Sequence, residues 1–219
     1  KPFNKTLISN LFQIVIKFEK AKINTNWNFV NDWCNDFSLD ELSDECFSMT
    51  IHKNGRAVEK EFASAQEFWF VAKSKALLEL GKIEECIELS SQALDQVPFF
   101  HSSNDVWLSR NISKALTKDG DLEKALQIMN KVHAKKRDWF IKSELAELNL
   151  KLEKKELALK LCKQGLLEYG RLSSKVKLVF FTGKILEEIG DEKMAKEHFK
   201  LCALIRREND WNMPNELEN

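Results

Sequence analysis

The sequence predicts an all-α protein in which a solenoid of helix-turn-helix units follows an N-terminal helical subdomain. Seven Gly and three Pro among 219 residues are too few for the many turns of a sheet-rich fold. Apolar residues recur at helical spacing along most of the chain. Short polar turns separate amphipathic segments at a regular distance, which is the pattern of a helical repeat protein.

The composition excludes several classes of protein. An apolar share of 43% and a charged share of 31% are unlike those of collagen-like or disordered chains. Lys and Arg number 34, as do Asp and Glu, so the chain has no overall field to attract nucleic acid or an anionic membrane. No apolar run approaches the roughly 18 residues of a membrane span. We therefore expect a soluble globular protein without a membrane partner.

The cysteines are spread along the chain and form no CxxC pair. Their spacing fits neither a zinc site nor a disulfide framework, so we expect no metal and no cofactor. Cysteine usage of this kind predicts a reducing compartment, and hence a cytoplasmic location. The five residues are Cys34, Cys46, Cys86, Cys162 and Cys202.

Residues 1–66 are the predicted N-terminal helical subdomain. Apolar residues at helical spacing predict an amphipathic helix over residues 4–22. Its apolar face is broad and needs a cover, which the aromatic-rich segment 27–37 can supply.

The second half of this subdomain contains a capping signal and a turn. Ser38 and Glu41 form a plausible capping box for a short helix that runs through Cys46. An extended conformation is an open alternative for residues 47–51. Asn54-Gly55 then predicts a turn.

Residues 67–210 are the predicted repeat domain, and residues 211–219 a polar tail. Three turns centred on glycine recur in the repeat domain, and a fourth turn without glycine lies between the second and the third. The central residues are spaced 39, 33 and 37 apart, which is the period of a helix-turn-helix solenoid. They are Gly81, Gly120, Glu153 and Gly190.

Small residues recur at fixed distances from these four turn residues. Paired helices approach closely where side chains are small, so such residues mark the contact. At seven positions before the turn residue, five after it and twelve after it, eleven of twelve residues are Ala, Gly, Ser or Cys. The three sets are Ser74, Ser113, Ala146 and Gly183; Cys86, Ala125, Ala158 and Ala195; and Ala93, Val132, Gly165 and Cys202.

This arrangement resembles the tetratricopeptide repeat (TPR) family, whose units are pairs of antiparallel helices with small residues at repeat positions 8, 20 and 27. The resemblance covers about residues 67–204 and implies a right-handed superhelix with a concave surface. The first unit carries it best, with Leu77, Gly81, Cys86, Ala93 and Pro98 at repeat positions 11, 15, 20, 27 and 32.

The resemblance also implies which side chains line a partner-binding groove. Aromatic and Arg side chains in a concave site are common anchors for peptides. A second interpretation stays open, in which the aromatic residues pack against the N-terminal subdomain or a neighbouring repeat. The predicted groove residues are Phe68, Val71, Lys75, Trp107, Arg110, Lys114, Phe140, Phe180 and Lys184.

The sequence lacks the usual motifs of catalysis, so we do not expect an enzyme. The four histidines are scattered, and the chain contains no HExxH, no GxGxxG and no phosphate loop. We expect a scaffold that binds a peptide, a partner protein or another domain of its parent chain. The alternative is a protein that binds single-stranded nucleic acid, which basic residues 135–137 and 206–207 favour and the neutral overall charge disfavours.

Overall fold

The computed structural model describes residues 2–53 and 55–217. Within them the regular structure consists of ten α-helices, three short 3-10 helices and one β-hairpin. The predicted all-α class is confirmed, with extended structure limited to the hairpin strands β1 (Phe47–Lys53) and β2 (Arg56–Phe62). The helices are α1 (Pro2–Lys20), α2 (Trp27–Asn35), α3 (Ala65–Glu79), α4 (Ile83–Gln96), α5 (Asn104–Asp119), α6 (Leu122–Lys135), α7 (Trp139–Lys151), α8 (Lys155–Leu167), α9 (Val176–Glu188) and α10 (Glu192–Glu208).

The chain divides into two compact units, Lys1–Asp121 and Leu122–Asn219. The first unit contains α1 to α5 and the hairpin, and the second contains α6 to α10. Within the first unit, α3 contacts α1, α2, α4 and α5. Phe12 of α1, Val30 of α2 and Leu108 of α5 lie in one cluster of buried side chains. The N-terminal helices and the first repeat therefore share a core.

Helix α1 is covered on one side and exposed on another. The segment 27–37 covers the side that carries Phe12, whose ring centroid lies 5.2 Å from that of Phe37. The predicted cover is thus present but partial. An apolar stripe remains exposed, and it consists of Leu7, Leu11, Ile14 and Phe18.

The segment after α2 differs from the helical prediction. The capping box is present, since the backbone N–H and the hydroxyl of Ser38 both donate to Glu41 Oε2, at 2.9 and 3.0 Å. The helix that it caps is a single 3-10 turn over Leu39–Glu41 and does not reach Cys46. The chain then enters the hairpin, so the extended alternative holds for residues 47–51.

The hairpin is antiparallel, with Phe47 opposite Phe62 and Lys53 opposite Arg56. Gly55 lies in its turn with a φ of 75°, whereas Asn54, which we also expect in the turn, lies outside the described residues. β-branched residues favour the extended state here, because the pleated strand accommodates their stiff side chains. Described side chains of the hairpin are exposed or half-buried, so neither face enters a core.

The four repeat turns share one backbone geometry. The turn residue adopts a left-handed conformation in each, with φ of 74° at Gly81, 97° at Gly120, 58° at Glu153 and 84° at Gly190. In three of the turns the next N–H donates to the carbonyl five residues earlier, which is the Schellman arrangement. These bonds join Lys82 to Leu77, Lys154 to Asn149 and Asp191 to Leu186, at 2.8 to 2.9 Å.

All twelve residues of the small-residue sets are buried. Gly183 shows why size matters, because a Cβ atom there would lie 2.6 Å from the ring of Phe199. A Cβ atom at Gly165 would lie 3.0 Å from Leu178. The repeat register, including that of the glycine-free unit, is therefore confirmed.

The second unit continues the repeat pattern to its end. Within it α7 contacts α6 and α8, and α9 contacts α8 and α10. The predicted polar tail contains a 3-10 turn over Asn215–Leu217. Leu217 is buried in a cluster with Cys202 and Ile205, so part of the tail packs on the repeat helices.

Candidate functional site

The nine predicted groove residues share one degree of burial and lie on the first helices of their repeats. Each is half-buried, which suits a side chain that is held by the fold and still reaches a ligand. Six belong to the first unit and three to the second, and the two groups are described separately. They are Phe68, Val71 and Lys75 on α3; Trp107, Arg110 and Lys114 on α5; Phe140 on α7; and Phe180 and Lys184 on α9.

Phe68 of α3 packs against α1. Its ring lies 6.2 Å from that of Phe12 in an edge-to-face arrangement. The ammonium groups of Lys17 and Lys20 lie 5.5 and 6.0 Å from the centre of the Phe68 ring. Packing against the N-terminal region, the second interpretation of the sequence, thus applies to Phe68, and α1 brings two cations to the same place.

Lys75 joins this group to α5. Its Nζ lies 5.8 Å from the centre of the Trp27 ring and forms an ion pair with Glu79. Burial alone would raise the pKa of the Glu79 carboxyl, but the hydrogen bond from Lys75 and the charges of Lys75, Lys114 and Lys118 lower it. Several cations therefore surround one carboxylate.

Trp107 and Arg110 form a cation–π pair on α5. The guanidinium carbon Cζ of Arg110 lies 5.7 Å from the centre of the Trp107 ring. A guanidinium over an aromatic ring is attracted by the ring quadrupole, and its N–H groups match the geometry of a carboxylate. Together these side chains form what we call the basic-aromatic surface of the first unit: Lys17, Lys20, Phe68, Lys75, Trp107, Arg110 and Lys114.

The predicted residues of the second unit form smaller groups. The rings of Phe180 and Phe199 lie 5.5 Å apart, and Lys184 Nζ lies 5.7 and 5.6 Å from their centres. Phe140 packs edge-to-face against Trp139, at 5.8 Å between ring centres. Aromatic anchors are thus present in this unit, with one lysine beside the Phe180 pair.

The thiols of the chain are poor nucleophiles at neutral pH. Burial raises the pKa of Cys34 and of Cys162 to about 12. Burial also raises the pKa of Cys86 and Cys202, and the pKa of the exposed Cys46 is raised by partial desolvation and by the nearby carboxylates of Glu61, Glu67 and Asp44. Because the thiolate is the reactive form, this environment does not activate any of the five.

In the part of the chain that the structure describes, no helix combines the length and apolar character that a membrane crossing requires.

The fold belongs to the TPR-like class of helical repeat proteins. A double mutant of MamA (RS-1 ArsTM) matches with a TM-score of 0.60 and 16% identity over 92% of this chain and 96% of that one. TPR-like repeats of a kinesin light chain from Podosopora anserina match at 0.54 and 16%, over 67% and 77% of the two chains. The Rap conjugation gene regulator of plasmid pLS20, whose structure is a complex with the Phr* peptide, matches at 0.57 and 15% over 66% of this chain. That match spans 42% of the regulator.

The sequence places the chain within one family. It belongs to the family described as a domain of unknown function, DUF7017, whose model matches residues 106–219. No curated protein matches the sequence.

The MamA match also explains a feature that the sequence did not reveal. Because it covers 92% of the chain, the likeness extends well into the first 66 residues. In the structure α1 and α2 contact α3, just as α3 and α4 contact α5. The N-terminal helices thus reproduce the contacts of a repeat. The sequence gives no repeat motif for α1 and α2. The hairpin lies between these two helices and the first regular unit, so the spacing of the later repeats does not extend to them.

Proposed function

We propose that the protein is a non-catalytic interaction scaffold and that the basic-aromatic surface binds an acidic segment of a partner protein. The observation that carries this proposal is the grouping of cations and aromatic rings on α1, α3 and α5, in which Lys17 and Lys20 lie over Phe68 and Arg110 lies over Trp107. An apolar or aromatic residue of the partner would pack beside Phe68 or Trp107, and its carboxylates would pair with Lys75, Arg110 or Lys114.

The physical basis is the combination of anchor and charge. Aromatic and Arg side chains dominate binding energies when they lie at the centre of an interface. Half-buried side chains lose little conformational entropy on binding, because the fold already restricts them. Cations around the anchors attract acidic partners and accelerate their association. The charges of Lys75 and Lys114, which both act on Glu79, favour an acidic ligand over a basic one.

The remaining predicted residues belong to the same proposal. Val71 lies between Phe68 and Lys75 on α3 and packs against the core of the first unit. Phe140, Phe180 and Lys184 would give the second unit a contact region of its own. Another domain of the parent chain could supply the ligand as well as a separate protein. The five free cysteines fit a reducing compartment, so we propose a cytoplasmic location.

Nucleic acid is the less favoured ligand. Of the basic run at residues 135–137, Lys136 forms an ion pair with Asp138 at 3.3 Å. The Arg206 guanidinium donates to the carbonyl of Asn212 at 2.6 Å. The neutral overall charge of the chain also supplies no long-range attraction for a phosphate backbone. The protein-binding proposal therefore has the stronger support.

Selection from a displayed library of random peptides tests the proposal. We expect enriched peptides to combine Asp or Glu with an aromatic residue, and their binding to weaken with salt. The double substitution Arg110→Ala and Lys114→Ala should abolish the enrichment. The matched control, Lys196→Ala with Lys200→Ala on the exposed face of α10, should retain it. Enrichment of basic peptides, or equal enrichment with the first double variant, would refute the proposal. Tight binding of a single-stranded oligonucleotide at low salt would favour the alternative.

A further inference from the structure

A buried histidine in the first unit has a carboxylate near each ring nitrogen, and only one of the two contacts is a hydrogen bond. His101 precedes α5 and is 7% exposed. Its Nδ1 lies 2.8 Å from Glu67 Oε2, and Glu67 is itself 1% exposed. Its Nε2 is enclosed and makes no hydrogen bond.

Glu67 is fixed in place by several donors. Its Oε1 accepts from the backbone N–H of His101 at 2.8 Å and from Asn104 Nδ2 at 2.7 Å. A carboxylate held in this way keeps a proton on His101 Nδ1, because it needs a donor there. With Nδ1 protonated, the Nε2 atom of a neutral ring presents its lone pair on the opposite side. A carboxylate that orients an imidazole toward a cation is a recurrent device of metal sites.

Two further ligand atoms lie near His101 Nε2. Glu61 Oε2, on β2, lies 3.2 Å from His101 Nε2. Cys46, just before β1, contributes a thiol, and the ligand atoms of Cys46, Glu61 and His101 all lie within 4.8 Å of one another. They lie at a cavity of about 500 Å³, whose wall also includes Asp44.

We propose that Cys46, Glu61 and His101 form a binding site for a divalent transition metal of the zinc type. An unprotonated His101 Nε2 and the carboxylate oxygen of Glu61 repel each other unless a cation binds to both atoms. A proton could bridge this pair alone, whereas a third, thiolate ligand suits a metal. Sulfur, imidazole nitrogen and carboxylate oxygen together favour Zn²⁺ over Mg²⁺ or Ca²⁺, which take oxygen ligands. Water or Asp44 would complete a tetrahedron.

The metal would fasten the hairpin to the body of the first unit. The hairpin has no buried side chain among its described residues, and isolated two-stranded hairpins are marginally stable in water. Cys46 and Glu61 both lie at its open end, while His101 belongs to the loop before α5. Binding would draw the ligands together by roughly 1 Å to reach tetrahedral spacing, a small movement for two exposed side chains.

The sequence did not reveal this site. Cys46, Glu61 and His101 are separated by 15 and 40 residues, and no short spacing joins them. A CxxC pair detects ligands that are local in the chain, so this signal does not report on ligands from distant segments. Here the hairpin returns Glu61 to Cys46, and the packing of α3 places His101 beside both.

Titration of the full chain with Co²⁺ and with Zn²⁺, under reducing conditions, tests the site. We expect one metal per chain, ligand-field bands of tetrahedral Co²⁺ and a thiolate charge-transfer band. The buried cysteines do not compete in the folded protein. Cys46→Ser and Glu61→Gln should each weaken binding by roughly tenfold or more, as loss of a direct ligand must exceed the effect of an outer partner. Hydrogen exchange of hairpin amides should slow with Zn²⁺ in the unmodified chain and not in Cys46→Ser.

Two controls make the result decisive. His52→Ala removes an exposed imidazole near the other end of the hairpin and should leave metal binding unchanged. Glu67→Gln should weaken binding without removing the charge-transfer band, since Glu67 orients His101 and is not a ligand. Lack of stoichiometric binding, or binding that survives both Cys46→Ser and Glu61→Gln, would overturn the proposal. His101 would then be a protonated bridge between Glu61 and Glu67.

Discussion

The first and second units use the same helical pairs but present different predicted contact residues. In the first unit Lys17 and Lys20 lie over Phe68, and Arg110 lies over Trp107. In the second unit Phe180 and Phe199 share one lysine, Lys184. Left-handed turn residues and small buried residues recur in both. The comparison shows that repeat architecture and ligand chemistry are separate properties of the sequence, set by different residues.

Overpacking a small-residue position should have the largest effect and should act alike in both units. Ala93→Leu in the first unit and Ala125→Leu and Ala195→Leu in the second introduce bulk where the exposed fraction is 0 to 2%. We expect each to lower the free energy of unfolding by about 1 to 3 kcal/mol or more. Chemical denaturation measures this loss.

Ala134→Leu is the control for overpacking, because Ala134 lies exposed on α6. Its stability should stay within about 0.5 kcal/mol of the parent. If Ala125→Leu and Ala195→Leu leave stability unchanged, the repeat register is wrong.

The turn residues give a smaller effect of opposite sign in the two units. Glu153 has a φ of 58°, which costs a residue with a side chain about 1 kcal/mol relative to glycine. We therefore expect Glu153→Gly to stabilise the protein and Gly81→Ala to destabilise it, each by about 1 kcal/mol. Thermal unfolding would detect both changes.

Lys154→Gly is the control for the turn experiment. Lys154 has a φ of −90°, so glycine relieves no strain there and only adds freedom to the unfolded chain. A stabilising effect of Lys154→Gly equal to that of Glu153→Gly would show that the left-handed turn is not the cause.

Local patterns made the repeats predictable, and contacts between distant segments made the sites hard to predict. The register depends on residues within about 20 positions of each turn, so spacing alone identifies Ala125 or Gly183. Local spacing does not predict the positions of the α1 cations. Nothing in the sequence near Lys17 indicates that its ammonium group lies over the Phe68 ring. For residues 47–51 the sequence leaves helix and strand open. A strand there forms only if it pairs with a second segment, and local periodicity does not reveal that pairing.

The affinity of one selected acidic peptide for three variants tests the central claim most directly. Calorimetric titration should show that Trp107→Ala weakens binding by about 2 kcal/mol or more, which is about thirtyfold. Arg110→Ala, which retains the Trp107 ring, should weaken it as well, while Phe180→Ala should stay within about twofold. Circular dichroism should remain helical in all three. Unchanged affinity in folded Trp107→Ala, or an equal loss in Phe180→Ala, would contradict the assignment of ligand binding to the basic-aromatic surface of the first unit.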